Sequence, residues 1–220
     1  MRHERPTLNA NSEPPSSEQL AGDLAPLSLA LGSPDALAPL GDLAQLLNAA
    51  RPQSASALRA FLRQYRDQLL AAVELPAIRA AYQLASQGKG LDLIALDREL
   101  SARFGTSSFA EASRHTGRTQ LRRLRPLRDR SLQRYLAAVD EGQASGWHVV
   151  VFGLLLALFS LPLRQGLAHY AQKTHQSILD SATLGVALTA ADRESLVIDR
   201  DAHLVSVLKN LVPSPALSVV

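Results

Sequence analysis

Few residues of this chain have the types and spacing that a chemical site requires. Its six histidines stand at positions 3, 115, 148, 169, 175 and 203, and no HExxH motif or other tight metal-ligand spacing joins them. His169 and His175 are six residues apart, which places them on different faces of a helix. The chain has no cysteine, which excludes disulfides and cysteine-ligated metal. These residues predict no metal site.

Catalytic motifs are missing as well. There is no GxSxG nucleophile motif, and Gly88-Lys-Gly90 is too short for a phosphate-binding loop and is typical of a turn. The carboxylates are scattered and form no pair suited to acid–base catalysis. We therefore predict no catalytic residue, no cofactor and no enzymatic activity, and favour a binding or scaffold role.

Arginines form the most prominent polar feature of the sequence. On a helix, four of them share one face, and we call this set the arginine stripe: Arg114, Arg118, Arg122 and Arg125. Such a stripe could meet the phosphates of a nucleic acid. However, Tyr135 is the only aromatic residue nearby, and the net charge is only +3. The pattern favours a solvated face that contacts a protein partner, and no nucleic acid.

Composition predicts an all-α protein. Aromatic residues make up only 5% of the 220 residues, so Leu and Ala build the core, and β-branched residues are few. We predict a single-domain orthogonal bundle of about eight to ten helices around a central apolar helix. Residues 1–22 are expected to be a disordered tail, 23–211 the helical domain and 212–220 a flexible tail. The N-terminus lacks an apolar signal-peptide core.

Hydrophobic periodicity and capping residues predict the individual helices. A short apolar segment, 24–31, comes first, and no segment alternates in the manner of a strand. The expected helices cover 40–50, 54–87 with a restart at Pro76, 92–104, 109–124, 129–139 and 163–182, followed by two short helices between 190 and 211.

Residues 146–163 form the only run with no charge and almost no polar group, and we expect the other helices to pack around it. The length is at the edge of what spans a bilayer, but His148, Gly153 and Pro162 interrupt or close the run. We expect a buried central helix, with His148 as a hydrogen-bonded core or interface residue. Gly153 should let a neighbouring helix backbone approach closely, from the same chain or from a second subunit. A membrane-associated helix remains the alternative.

Several stretches, taken together and in order over about 24–210, resemble the UreF family of urease accessory proteins. Ala72-Val-Glu-Leu-Pro76, followed by Tyr82 and Gln87-Gly88, is similar to the family's Val-Asp-Leu-Pro, Leu-Tyr-x-Ala and polar-Gly turn. Ala112-Ser113 with Gly117-Arg118 resembles its Ala-Ser-x-x-Met-Gly-Arg. His148 with Gly153 resembles its His-x-x-Val-x-Gly. The resemblance implies structural roles for Pro76, Tyr82, Ser113, Gly117, His148 and Gly153.

The sequence departs from the family pattern at four places. The N-terminal Gly/Phe/Ser-rich segment is reduced to Pro34 and Gly41, and Glu-Leu-Arg becomes Ser108-Phe109-Ala110. A late Arg is replaced by Thr183, and Leu-Gly-Gln by Ala187-Leu188-Thr189. The fold is therefore expected to carry over better than the partners.

The resemblance implies a cytoplasmic homodimer that catalyses no reaction. It would bind a second accessory protein, UreD (also called UreH), and recruit the GTPase UreG, so that the complex delivers nickel to apo-urease. The alternative is a divergent helical interaction module that kept this fold without the urease role. The arginine stripe is the predicted partner-binding surface.

Overall fold

The computed structural model describes residues 40–183 and 185–211. Within them the chain is all α-helical, as predicted, and contains no strand. The elements are α1 (Leu40–Leu46), α2 (Ala55–Tyr65), a π-helical segment (Arg66–Glu74), α3 (Leu75–Ser86), α4 (Gly90–Phe104), α5 (Ser108–Leu124), α6 (Arg130–Asp140), α7 (His148–Leu158), α8 (Leu163–Ala182) and α9 (Ala190–Leu211). The expected tails, 1–22 and 212–220, the apolar segment 24–31 and the family position Pro34 lie outside the described residues.

Local capping sets where several helices begin. The Ser54 hydroxyl accepts a hydrogen bond from the Ala57 amide at 3.2 Å, the Ser107 hydroxyl from Ala110 at 3.3 Å, and the Asp129 carboxylate from the Leu132 amide at 2.9 Å. Each supplies an acceptor for an amide that a helix leaves unpaired in its first turn. These caps explain why sequence patterns placed the starts of α2, α5 and α6 within one or two residues.

A π-helical segment joins α2 to α3 without a break. The Leu75 amide bonds to the Leu70 carbonyl, five residues back, and Pro76 follows in the first turn of α3. Proline has no amide to donate, and its ring clashes with the carbonyl four residues before it. The wider π turns accommodate that clash. The predicted restart at Pro76 is present, but the change of helical register was not predicted.

The central helix is α7, and its first nine residues are all buried. It packs mainly against α3 and α5. A Cβ placed on Gly153 would collide with the Ile78 carbonyl oxygen and lie 2.7 Å from the Ala81 Cβ. The close backbone approach predicted at Gly153 is therefore present, and the neighbour is α3 of the same chain.

Three expectations about helix extent were wrong. The helix expected over 40–50 ends at Leu46, because Asn48 has a φ of 50°. Residues 190–211 form one helix instead of two, because Thr189 and Asp192 cap its start, no Gly or Pro follows within it, and Leu196, Leu204 and Leu208 bury a single face. The central helix ends at Leu158, well before Leu163, because Ser160 has a φ of 52°. No helix in the described part of the chain is long and apolar enough to cross a membrane.

Candidate partner-binding surface

Helix α5 has two faces with different tasks. Its inner face is buried and carries Ser113, Gly117, Gln120 and Leu121. Its outer face carries the arginine stripe, of which Arg114 is half-buried and Arg118, Arg122 and Arg125 are exposed. The predicted solvent-facing position of those three arginines is confirmed.

The inner face of α5 holds the start of the central helix. The Ser113 hydroxyl accepts a hydrogen bond from the His148 amide at 3.2 Å. A Cβ on Gly117 would collide with the Gly146 carbonyl oxygen and lie 2.8 Å from the His148 amide nitrogen. Any side chain at Gly117 would therefore separate α5 from α7. Both residues act through backbone approach and capping, in keeping with the structural roles that the resemblance implies.

A buried carboxylate, which the sequence analysis missed, fixes the same segment from the other side. Asp97 on α4 has no exposed surface and accepts hydrogen bonds from the amides of Ser145 (2.5 Å), Gly146 (3.0 Å) and Trp147 (3.0 Å). The Tyr135 hydroxyl donates to it at 2.5 Å. Because the amides at a helix N-terminus attract an anion, Asp97 anchors the start of α7.

The periodicity of α4 contained a signal for this role. Leu93, Ile94, Asp97 and Leu100 recur on one helical face, and all four are buried. A carboxylate within an apolar stripe needs a compensating set of donors. The sequence analysis did not identify Asp97, because it considered carboxylates only as acid–base pairs.

Two arginines of the stripe are tied to the segment that Asp97 holds. The Arg118 Nε donates to the Ser145 carbonyl at 2.8 Å. The Arg114 guanidinium lies 5.1 Å from the centre of the Trp147 ring and donates to the Gly105 carbonyl. These contacts orient the N-terminal half of the stripe relative to the core.

The C-terminal half of the stripe is freer. Arg125 Nη2 lies 2.7 and 2.8 Å from the two oxygens of Asp140, in a pair whose side chains are about half exposed. The Arg122 side chain makes no hydrogen bond or ion pair with any residue that the structure describes. Two shallow grooves lie beside Arg122, with volumes of about 630 and 830 Å³ that include open solvent, and Arg125 lines the first of them. The surface can therefore accept acidic groups.

A second buried carboxylate lies at the end of the π-helical segment. The hydroxyls of Tyr65 and Tyr170 donate to the two oxygens of Glu74, at 2.6 and 2.9 Å. Burial raises the pKa of the Glu74 carboxyl to about 7, although both tyrosine hydrogen bonds oppose that rise. The group ties the π-helical segment to α8, and sequence reasoning did not identify it.

The remaining family-motif residues lie in or beside the core. Tyr82 is half-buried on α3, and its amide faces Gly153. His148 is fully buried, and its Nε2 lies 3.2 Å from the amide nitrogen of Gln120, as expected for a hydrogen-bonded core residue. Burial lowers the pKa of His148 to about 4, so its imidazole is neutral at pH 7.

No three His, Asp or Glu side chains cluster as metal ligands within 40–183 and 185–211. The geometry thus offers buried anchors for α7 and a cationic outer face. Comparison with protein families decides where this arrangement belongs: a family model described as UreF matches residues 52–192. The chain belongs to the UreF family.

The matched residues run from just before α2 to the first turn of α9. They include Asp97, Glu74, the arginine stripe and both glycines at which helices approach. UreF proteins are urease accessory proteins. Membership of this family therefore implies a role that involves partner proteins. A search of curated proteins found no match for this UreF chain.

Proposed function

We propose that this protein is a scaffold for urease activation. With UreD/UreH and the GTPase UreG it would promote nickel insertion into apo-urease, in the cytoplasm and as a homodimer. The observation that carries the proposal is the family match over residues 52–192, which contains the helical core together with its cationic outer face. The 23–211 region is proposed as one domain.

The arginine stripe is the proposed contact for an acidic surface of these partners. Arg118 and Arg114 are held in place by contacts to 145–147 and Gly105, so a partner would not have to order them on binding. Side-chain ordering costs about 0.5–1.5 kcal/mol for each flexible side chain. Arg122 remains available to pair with a partner carboxylate.

Deletion tests the urease role. The gene is removed from a complete urease system, and urease activity is measured at a fixed nickel concentration. Loss of activity that returns on complementation supports the proposal, whereas unchanged activity refutes it. Co-purification with UreD/UreH and UreG homologues identifies the complex.

Charge reversal tests the surface. Arg122→Glu is expected to weaken capture of the partner complex, while Arg123→Glu, one residue away on an exposed position off the stripe, serves as the matched control. Equal capture by both variants and the parent would show that the stripe is not the contact.

One observation favours a second candidate, a UreF-fold interaction module without the urease role. Thr183 stands where the family pattern has Arg, and its hydroxyl donates to the Asp180 carbonyl at 2.7 Å, a local contact that leaves no charge for a partner. Unchanged urease activity on deletion, together with a different set of co-purified proteins, would favour this module.

A further inference from the structure

A second cleft lies away from the stripe, between α9 and the helix formed by α2 and its π-helical segment. It encloses about 570 Å³, part of it open to solvent. Its walls are mostly aliphatic and come from α2, the π-helical segment, α3, α8 and α9: Leu62, Leu70, Leu75, Ala171, Leu196 and Leu204. Apolar walls with a few polar groups are typical of small-molecule sites.

The rim of this cleft has more positive than negative charge. Arg59 Nε and Arg63 Nη2 lie 3.3 and 3.5 Å from the same Asp199 oxygen. Two guanidinium groups thus share one carboxylate, and one positive charge is left uncompensated. Arg66 and Arg200 also line the cleft. Their ion-pair partners, Asp67 and Asp201, do not line it.

A polar atom buried behind the wall of this cleft has no partner among the described residues. His175 on α8 is 9% exposed, and its Nε2 makes no hydrogen bond to any residue that the structure describes. A buried polar atom without a partner costs about 1–3 kcal/mol. Burial, and after it the nearby Arg200, lower the pKa of His175 to about 3. The imidazole is therefore neutral at pH 7 and adds no charge to the cleft, so the arginines carry its positive charge.

We propose that the cleft between α2 and α9 binds a linear aliphatic carboxylate. The acyl chain would lie along the leucine walls, and the carboxylate would be held by Arg59 and Arg63. Guanidinium groups recognise carboxylates through paired, charge-assisted hydrogen bonds. An alcohol of the same length would contact the same apolar walls but leave the positive charge of the arginines uncompensated. An alkylammonium ion would be repelled by that charge.

Octanoate is the test probe, titrated into the full-length protein by calorimetry and by NMR of the leucine and valine methyl groups. Saturable binding is expected, with shifts at Leu204 and Val207, and with octan-1-ol and octylammonium binding at least about tenfold more weakly. Affinity should also fall as NaCl is raised, because the rim is partly solvent-exposed.

One variant and one control locate the carboxylate. Arg63→Gln, at a side chain that is 58% exposed and so tolerant of change, should weaken octanoate binding about tenfold. Arg123→Gln, at an exposed position of α5 that lies off the stripe, is the control and should bind octanoate like the parent. Equal binding of octanoate and octan-1-ol, unchanged affinity in a folded Arg63→Gln protein, or no saturation would each overturn the proposal.

Discussion

Replacing Gly153 with Ala adds a single methyl group at the tightest contact of the central helix. That methyl group would collide with the Ile78 carbonyl and lie 2.7 Å from the Ala81 Cβ and 3.0 Å from the Tyr82 amide nitrogen. Two of these three atoms belong to the backbone of α3, which cannot move aside by a rotamer change. The two helices must therefore separate.

The size of the effect follows from two opposing contributions. Gly to Ala in a helix interior gains about 1 kcal/mol of helix propensity, and overpacking a well-packed core costs about 1–3 kcal/mol. Because backbone atoms oppose the methyl group, we expect the upper part of that range. Gly153→Ala should then lose about 1–2 kcal/mol of unfolding free energy, and Gly153→Leu about 3 kcal/mol or more.

Gly41 provides a matched control for this prediction. It lies in the first turn of α1, and a Cβ placed on it meets no atom of the described residues within 4 Å. Gly41→Ala should therefore gain up to about 1 kcal/mol. Urea unfolding followed by far-UV circular dichroism measures both variants, with size-exclusion chromatography to confirm the oligomeric state. If Gly153→Ala is as stable as Gly41→Ala, the contact between α7 and α3 is not as close as described.

Three further outcomes are expected. Asp97→Asn should lose about 3 kcal/mol or more of unfolding free energy, because the carboxylate that accepts several hydrogen bonds is removed. Unfolding is followed by the fluorescence of Trp147, the only tryptophan. Asp92→Asn, at an exposed position on the same helix, is the control and should change the unfolding free energy little. Burial raises the pKa of Glu74 to about 7, so the folded state keeps a proton that the unfolded state releases, and the contribution of this group to stability is lost as pH rises from about 4.5 through 7. The unfolding free energy of Glu74→Gln minus that of the parent should therefore increase over that pH range by about 3 kcal/mol. If this difference does not change with pH, the raised pKa of Glu74 is contradicted. Replacing the three exposed arginines of the stripe with Gln should cost less than about 2 kcal/mol, since only the Arg118 hydrogen bond and one exposed ion pair are lost, and a larger drop in thermal stability would mean that the stripe is structural.

Helix positions could be predicted because the signals for them are local. Ser54, Ser107 and Asp129 each bond to an amide three residues later, so type and spacing alone mark the start of a helix. The same holds for Gly153, where a glycine in a fully apolar helix indicates close packing. The identity of the neighbour, α3 and not a second subunit, depends on the fold and could not be predicted.

The buried carboxylates could not be identified locally, because their partners are far away along the chain. Asp97 binds amides about fifty residues later, and Glu74 binds Tyr170 across 96 residues. In the sequence each is an acid on a helix, the type that is usually exposed. Only the position of Asp97 within an apolar stripe indicated otherwise.

The core and the proposed partner-binding surface of this chain are separable, because they use different faces of α5 and different parts of α8. Ser113 and Gly117 hold α7 on the inner face, while Arg122 can change without disturbing them. Thr183, at the end of α8, satisfies its hydroxyl locally, so the absence of an arginine there leaves no buried charge unpaired. The contacts that hold the core can therefore stay unchanged while residues on the outer face are substituted. Stability measurements on these outer variants report on the fold alone, and the identity of the partner must come from capture and urease activity.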